Sequence, residues 1–374
     1  MDARAARELF VSAIRRGRKG GEDLEQMRSF LTLAIDRRYP SGKLRLSRLK
    51  DKAEEALNLM LRSAPTMATL RGSKHARINV HDEDDMRAPI GQEAILLLDC
   101  KDFPMEGETS AYPIIRKAHA AGWRHVIVFD ACGQRFFGCG MGQDSKGMKI
   151  EAYGVAGDYL ASGLAGAEIV VHGNAQDQLG QIMASGKLVI YGDVGQTFMY
   201  GAKGGECYIM GNAAGRPLIN AVGKPRVVIN GTCLDYLAES FMAGDPLKGG
   251  GFVVLNGMVF DMEGNAAELA APYPGGNLFS LASGGAIYVR DPRGLVTADQ
   301  LNGGRFGTMT EKDWKLILPY LQENERLFGV KIDEFLLKVD GVSRKPEEVY
   351  RKIEAVPLTT LAKMQQQSET TEED

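Results

Sequence analysis

Residues able to do chemistry are sparse in this sequence and poorly grouped. Gly138-Cys139-Gly140-Met141-Gly142 has the glycine density of a phosphate-cradling loop. That chemistry needs the loop to open a helix whose first amides meet the phosphates. Here the strand-like run KIEAYG (149–154) follows instead. Cys132 and Cys139 stand seven residues apart with His125 nearby, whereas zinc or an iron-sulfur cluster needs more ligands at tighter spacing. They read as buried inert thiols, and Cys207 and Cys233 as packing residues. The five histidines, His75, His81, His119, His125 and His172, are too scattered for a metal motif. His172 occupies a phase held in later segments by Tyr191, Met210, Asn230 and Asn256, so it reads as a corner or surface filler rather than a base. Gly-x-Ser-x-Gly, Gly-x4-Gly-Lys-Ser/Thr and an amino-terminal cysteine nucleophile are all missing. The expectation is a chain with no catalytic, cofactor-binding or metal-binding residues of its own.

What the sequence does carry is a repeat. EIVVHG, KLVIYG, CYIMG, RVVING and FVVLNG each end in glycine, at Gly173, Gly192, Gly211, Gly231 and Gly257, spaced 19, 19, 20 and 26 residues. KIEAYG ends at Gly154, another 19 residues earlier, and GGAIYVRD (284–291) is a late variant. Small polar residues follow four of these glycines, namely Asn174, Asp193, Asn212 and Thr232. A period near 19 is too short for helical repeats. It fits one coil of short parallel strands, with glycine where the backbone needs positive φ or where successive coils crowd together. The side chains of Asn, Asp and Thr can hold the corners by hydrogen bonds to backbone. A leucine-rich repeat would show a leucine ladder, which is missing. The expected fold is therefore mainly β: a right-handed parallel β-helix, a single-stranded solenoid of about seven turns, with an N-terminal helical extension and C-terminal helices.

The flanking segments complete the plan. Residues 2–17, 22–38 and 45–63 have the three-and-four spacing of amphipathic helices; Leu9, Phe10, Ala13 and Ile14 share one face, and Asp23 with Gln26 suggests a capping box. Pro40-Ser41-Gly42 would end the second helix. The predicted domains are a basic helical extension (1–65), a linker (66–93), the repeat domain with a β-α-β cap (94–290), a C-terminal loop and helical segment (291–364), and a disordered acidic tail (365–374). Within the C-terminal segment, Thr310 with Asp313 predicts a capped helix over 311–324, stopped or kinked by Pro319, and 346–355 reads as another helix.

Composition excludes several classes. Hydrophobic residues at 44% and charged residues at 25% rule out bulk disorder. No apolar run is long enough for a membrane span. Five scattered cysteines fit free thiols in a reducing cytoplasm. Residues 1–80 carry 18 Lys/Arg against 9 Asp/Glu, and residues 81–374 carry 27 against 39. A basic arm beside an acidic body suggests a docking surface. Nucleic acid is a weak alternative, because no aromatics interleave with the basic residues.

The phased glycines of GQRFFGCGM (133–141), of the run from Tyr153 to Asn212 and of INGTCLDYLAESFMAGD (229–245) resemble the GXGXG domain of the glutamate synthase large subunit. They also resemble the formylmethanofuran dehydrogenase component that carries the same repeat. The resemblance covers roughly 94–290 and implies an architectural right-handed β-helix. It further implies that FMN and iron-sulfur clusters belong to partner proteins, an amidotransferase-like protein and an FMN-barrel iron-sulfur protein. The expected role is a scaffold of a glutamate-synthase-like oxidoreductase complex. The alternatives are a scaffold in a molybdenum or tungsten complex of the formylmethanofuran dehydrogenase kind, and an autonomous glutamate-synthase-related enzyme. Tyr159, Phe198, Tyr200, Tyr236 and Phe241 recur between the strand runs and are candidate interface anchors.

Overall fold

The computed structural model describes residues 3–37, 44–69, 73–261 and 265–356. The predicted helix stop at Pro40-Ser41-Gly42 and the acidic tail at 365–374 lie outside the described residues. In chain order the elements are α1 (Ala3–Gly17), α2 (Gly21–Asp36), α3 (Leu46–Leu61), β1 (His75–Ile78), β2 (Ile95–Asp99), α4 (Ala111–Ala121), β3 (His125–Cys132), β4 (Lys149–Val155), β5 (Ala165–Val171) and β6 (Ser185–Ile190). Next come β7 (Glu206–Ile209), β8 (Arg226–Ile229), β9 (Phe252–Leu255), β10 (Met258–Phe260), β11 (Ala266–Glu268), β12 (Ala286–Arg290) and β13 (Gly304–Gly307). The chain closes with α5 (Glu311–Phe328), β14 (Lys338–Val339), β15 (Val342–Ser343), α6 (Pro346–Val349) and β16 (Tyr350–Ala355).

The expected mainly-β solenoid is corrected by this arrangement. The described strands build a mostly parallel, open sheet of twelve strands accompanied by helices, which is an α/β architecture. A 19-residue period shows only that consecutive strand runs become neighbours. It carries no trace of β1 and β2, which join the sheet from outside the repeat. Nor does it reveal β16, which pairs antiparallel with both β12 and β13. The stretch 66–93, read as linker, contains β1, paired in parallel with β2 from His75 opposite Ile95 to Ile78 opposite Leu98.

Two compact units make up the chain. The first comprises Met1–Asp177, Gly186–Asp193 and Phe260–Ala267. Its strands run in the order β1 to β6, with the pairs from β1 through β5 parallel. A parallel sheet must be covered on both faces, and alternation assigns the residues to them. Leu96, Leu98, Val126, Val128, Ile150, Ile169, Val171, Leu188 and Ile190 form one wholly buried apolar face. The connection at Gly138 packs on it so closely that a Cβ there would lie 2.3 Å from Ile169 Cδ1. The opposite face, with Ile95, Leu97, Ile127, Phe129 and Tyr153, lies under α1–α3, whose Phe10, Leu24, Leu31, Ile35, Leu57 and Met60 join it in one core. The three helices form where the spacing predicts. Leu9, however, is exposed, and α2 begins at Gly20–Gly21 rather than at an Asp23 cap. Asp23 instead accepts from Arg16 Nε at 2.7 Å.

The second unit comprises Gln178–Ser185, Val194–Val259 and Glu268–Asp374. Its strand order is β7-β8-β9-β12-β16-β13, parallel from β7 to β12. The α5 helix begins with the Thr310–Asp313 capping box, runs through Pro319 and ends at Gly329 in the left-handed region (φ 73°). Its Tyr320 packs edge-on against Phe252 at 5.1 Å. The predicted helix at 346–355 is mostly strand. Pro346 starts a single helical turn, and β16 then buries Tyr350, Lys352 and Ile353 between two partner strands.

The corner glycines are required chiefly by close approach. Gly173, Gly192 and Gly231 do not have positive φ; a Cβ at Gly192 would lie 2.6 Å from Gly173 O, and one at Gly231 would lie 2.7 Å from Gly211 O. Only Gly154 (φ 103°) and Gly257 (φ 59°) take the left-handed conformation. The polar residues after them do hold the corners. Asn174 Oδ1 accepts from Asp193 N at 2.9 Å, and Asn212 Oδ1 accepts from Thr232 N at 3.0 Å. Thr232 Oγ1 donates to Pro272 O at 2.8 Å.

Left-handed backbone is concentrated elsewhere, in the connections. Alternate residues there have positive φ: Tyr159, Ala161 and Gly163 in the first unit, and in the second Gln178, Gly180 and Ile182; Thr197, Met199 and Gly201; Arg216, Leu218 and Asn220; and Tyr236, Ala238 and Ser240. Such a conformation costs a non-glycine residue about 1–2 kcal/mol. It persists because each amide is claimed by the adjacent connection. Within the second unit, Gln178 N donates to Gln196 O (2.8 Å), Ile182 N to Tyr200 O (2.8 Å), and Met199 N donates back to Leu179 O (2.6 Å). Strain of this kind survives where the surroundings over-determine it.

Replacing Gly192 by Ala is expected to destabilise the first unit by about 1–3 kcal/mol, because the added methyl meets backbone that cannot yield. Asn174→Ala, which removes one corner bond, should cost about 1 kcal/mol. Thermal melts of the two variants test this; a Gly192→Ala protein as stable as wild type would refute the close-approach reading.

Candidate functional site

The helix-covered face of the first unit is not uniformly apolar. Along it β1 presents His75, β3 presents His125, β4 presents Lys149, Glu151 and Tyr153, and the residue just past β5 is His172. The α2 helix lies over this row with Glu25, Arg28, Thr32 and Asp36, at spacings of three and four, which place them on one stripe. The two rows meet in a continuous seam of charge.

Glu151 is its centre. It is 4% exposed, and it accepts from His125 Nε2 at 2.8 Å, Lys149 Nζ at 2.8 Å, Arg28 Nη1 at 3.1 Å and His172 Nε2 at 3.3 Å. Burial alone would raise its carboxyl pKa, but the bonds from His125 and His172 and the charge of Arg28 hold it well below the usual carboxylate range. His172 turns its other nitrogen, Nδ1, to both oxygens of Asp36 at 2.9 Å. Both partners are acceptors, so the ring donates from both nitrogens and is an imidazolium. Burial would lower its pKa; Asp36 and Glu151 outweigh that and raise it to about 9. The ring is sandwiched between Tyr153 at 4.3 Å and Tyr191 at 5.4 Å.

Arg28 extends the seam. Its Nε and Nη2 hold Glu25 at 3.1 and 3.0 Å, and Nη1 also donates to Tyr153 Oη at 3.1 Å. Glu25 in turn pairs with His75 Nε2 at 2.8 Å. Burial works against the Glu25 carboxylate, but bonds from His75 and Arg28 lower its pKa to about 2. Thr32 gives its proton to Arg28 O at 2.8 Å, so the Tyr153 hydroxyl donates to Thr32 Oγ1 at 2.8 Å.

This arrangement clamps: each of its polar side chains bonds to another, although His75 Nδ1 is buried without a partner, and it contains no nucleophile. Among the described residues no three His, Cys, Asp or Glu side chains are placed to hold a metal ion. A second buried polar row, in the second unit, works the same way without charge. Asn230 and Asn324 of α5 exchange hydrogen bonds at 2.8 and 2.9 Å, Asn256 donates to Asn230 at 2.9 Å, and Tyr350 donates to Asn256 at 2.9 Å. The phase of His172, Asn230 and Asn256 is therefore where helices or strands dock, and the corner-filler reading of His172 is corrected.

The pattern described as GXGXG motif matches residues 123–339. The chain belongs to the GXGXG motif family. An uncharacterized protein of Methanocaldococcus jannaschii is 32% identical over 215 residues, covering 56% of this chain and 76% of that protein. The chloroplastic ferredoxin-dependent glutamate synthase of Oryza sativa subsp. japonica is 31% identical over 121 residues, covering 31% of this chain and only 7% of that enzyme. No solved structure matches the chain.

In this GXGXG chain the candidate anchors separate by burial. Phe198 and Phe241 are wholly buried; they are core residues, Phe198 following the first and Phe241 the third left-handed residue of its connection. Tyr159, Tyr200 and Tyr236 are half-buried. Tyr159 stacks on Phe136 at 5.3 Å, Tyr200 Oη accepts from Asn220 at 3.3 Å, and Arg216 lies over Tyr236 at 4.9 Å. Cys100, Cys207 and Cys233 are buried and burial raises their thiol pKa values, whereas Cys132 is exposed and Cys139 half-buried, which corrects their reading as buried thiols. The seam itself escaped sequence reasoning because Asp36 and His172 are 136 residues apart. Its one legible signal is the run of polar residues at α2 positions 25, 28, 32 and 36, inside an otherwise amphipathic helix.

The seam has a signed pH dependence. His172 has its pKa raised from 6.5 to about 9 in the folded chain, so its contribution is complete below 6.5 and is lost as pH rises through 9. Glu25, lowered from 4.5 to about 2, contributes fully above 4.5 and loses that contribution as pH falls through 2. Thermal melts across pH should show an alkaline decline that His172→Gln abolishes, while the variant loses about 3–5 kcal/mol near neutrality by leaving the buried Asp36 carboxylate without its cation. An unchanged alkaline limb in the variant would contradict the assignment.

Proposed function

We propose that this chain is an architectural component of a glutamate-synthase-like oxidoreductase assembly, with the redox and amidotransfer chemistry carried by partners. The observation that carries the reading is the GXGXG match over residues 123–339, joined to the use of the chain's buried ionisable groups. His172, His125, His75, Glu151 and Arg28 all bond to one another or to α2, and groups committed in this way hold elements together rather than turn over a substrate.

FMN and iron-sulfur clusters would then reside in an FMN-barrel partner, and glutamine hydrolysis in an amidotransferase-like partner. The likeness to the rice enzyme supports this division, because the matching part is 7% of that enzyme's length. Membrane attachment is not part of the proposal; among the described residues no helix is long and apolar enough to cross a membrane. Free cysteines fit a cytoplasmic setting.

Purification of the native complex with mass spectrometry of its components tests the proposal. The expected companions are a flavin and iron-sulfur protein and an amidotransferase, while the isolated chain gives no flavin absorbance band and no turnover of glutamine with 2-oxoglutarate. Turnover or tightly held flavin in the isolated chain would overturn the scaffold reading, and companions containing molybdenum or tungsten would overturn its assignment to a glutamate-synthase-like assembly.

A further inference from the structure

Beside the C-terminal ends of β2 and β3, an open groove runs along α3. It is lined by Asp51, Glu54, Glu55, Asn58, Arg62 and Asp130. The acids and the amide recur at intervals of three or four, one per helical turn, so acceptors repeat about every 5 Å along the groove. The single cation in the wall is already committed. Arg62 holds Asp99 at 2.9 and 3.2 Å and also pairs with Asp130, whose left-handed backbone (φ 56°) sits at the bulge in β3. Glu55 has Lys52 at 3.9 Å. Among the described residues no cation lies within ion-pair reach of Asp51 or Glu54.

Two further observations indicate a missing positive partner. Asn58 is 7% exposed, yet its side-chain oxygen receives no hydrogen bond, and an orphaned buried acceptor costs about 1–3 kcal/mol. Burial and the charge of Asp51 push the Glu54 carboxyl pKa up, as happens when a carboxylate lacks a counter-charge. All groove acceptors that lack a partner are oxygens, spread along a helix rather than converging on a point. That distribution suits a flexible chain of N–H donors better than a single metal ion.

We propose that this groove binds an aliphatic polyammonium ion. Nitrogens separated by three or four methylenes lie about 5–6 Å apart by ordinary bond lengths, which matches the turn-by-turn repeat of Asp51, Glu54 and Asn58. Each ammonium would donate to a carboxylate or to the Asn58 amide oxygen, and the apolar stems would lie along the helix surface. Lysine side chains of an extended segment offer the same group, but those on one face recur at about 7 Å, out of step with the helix.

Calorimetric titration of the full chain with spermidine tests the site. The expected result is one saturable site whose affinity falls about tenfold in Glu54→Gln and in Asp51→Asn, with Glu347→Gln, an exposed change in the second unit, binding as wild type. Asp51 is exposed, so its variant keeps the test open if Glu54→Gln folds poorly. Non-saturable binding, equal affinity in all variants, displacement by magnesium at matched ionic strength, or tighter binding of a capped trilysine of the same charge would each overturn the proposal.

Discussion

A single buried carboxylate, Glu151, sets the terms for the first unit. It faces four cationic or potentially cationic groups, from α2, β3, β4 and the end of β5. A carboxylate taken out of water needs compensation worth several kcal/mol; the sheet supplies His125, Lys149 and His172, and α2 completes the set with Arg28 and holds His172 through Asp36. Helix docking and full charge satisfaction are thus coupled, because Arg28 and Asp36 arrive only with α2. The apolar contacts of α1 and α3 add area to that event, but area alone would let the helices slide. The Glu151–His172–Asp36 line fixes their register. A largely buried charged seam is costly to form and specific once formed.

The repeat supplies the other half of the construction. Each strand enters the sheet beside its predecessor because the connection before it is bonded, amide by amide, to the connection of the adjacent repeat. The left-handed residues are strained individually and secure collectively. This explains how Tyr159, Ile182 and Phe279, none of them residues that favour positive φ, can occupy positions for which glycine is the easy choice.

Much of this was legible in the sequence, and the limits are physical. Helices α1–α3 and the α5 cap at Thr310 follow from local spacing, which depends on neighbours three or four residues away. The strand runs and their order follow from the 19-residue phase. The class of the fold did not follow, because the phase says nothing of β1, β2 and β16 or of what covers the second face. His172 was misjudged because variation at its phase looked like indifference; in fact three residues there answer different docking partners, Asp36 for His172, Asn324 for Asn230 and Tyr350 for Asn256. The β16 strand was hidden by the helix-starting signal of Pro346 with Glu347 and Glu348. For the site, an α2 stripe of Glu25, Arg28, Thr32 and Asp36 was visible, but not what it faces.

A scaffold reading requires that the helical extension belong to the body. Amide hydrogen exchange followed residue by residue in the intact chain measures this most directly. If the seam binds α2 to the sheet, amides of α2 and of β4 exchange with the same free energy of opening and the same pH dependence. Amides of α2 that exchange orders of magnitude faster than those of β4 would show a loose arm, and would contradict the account.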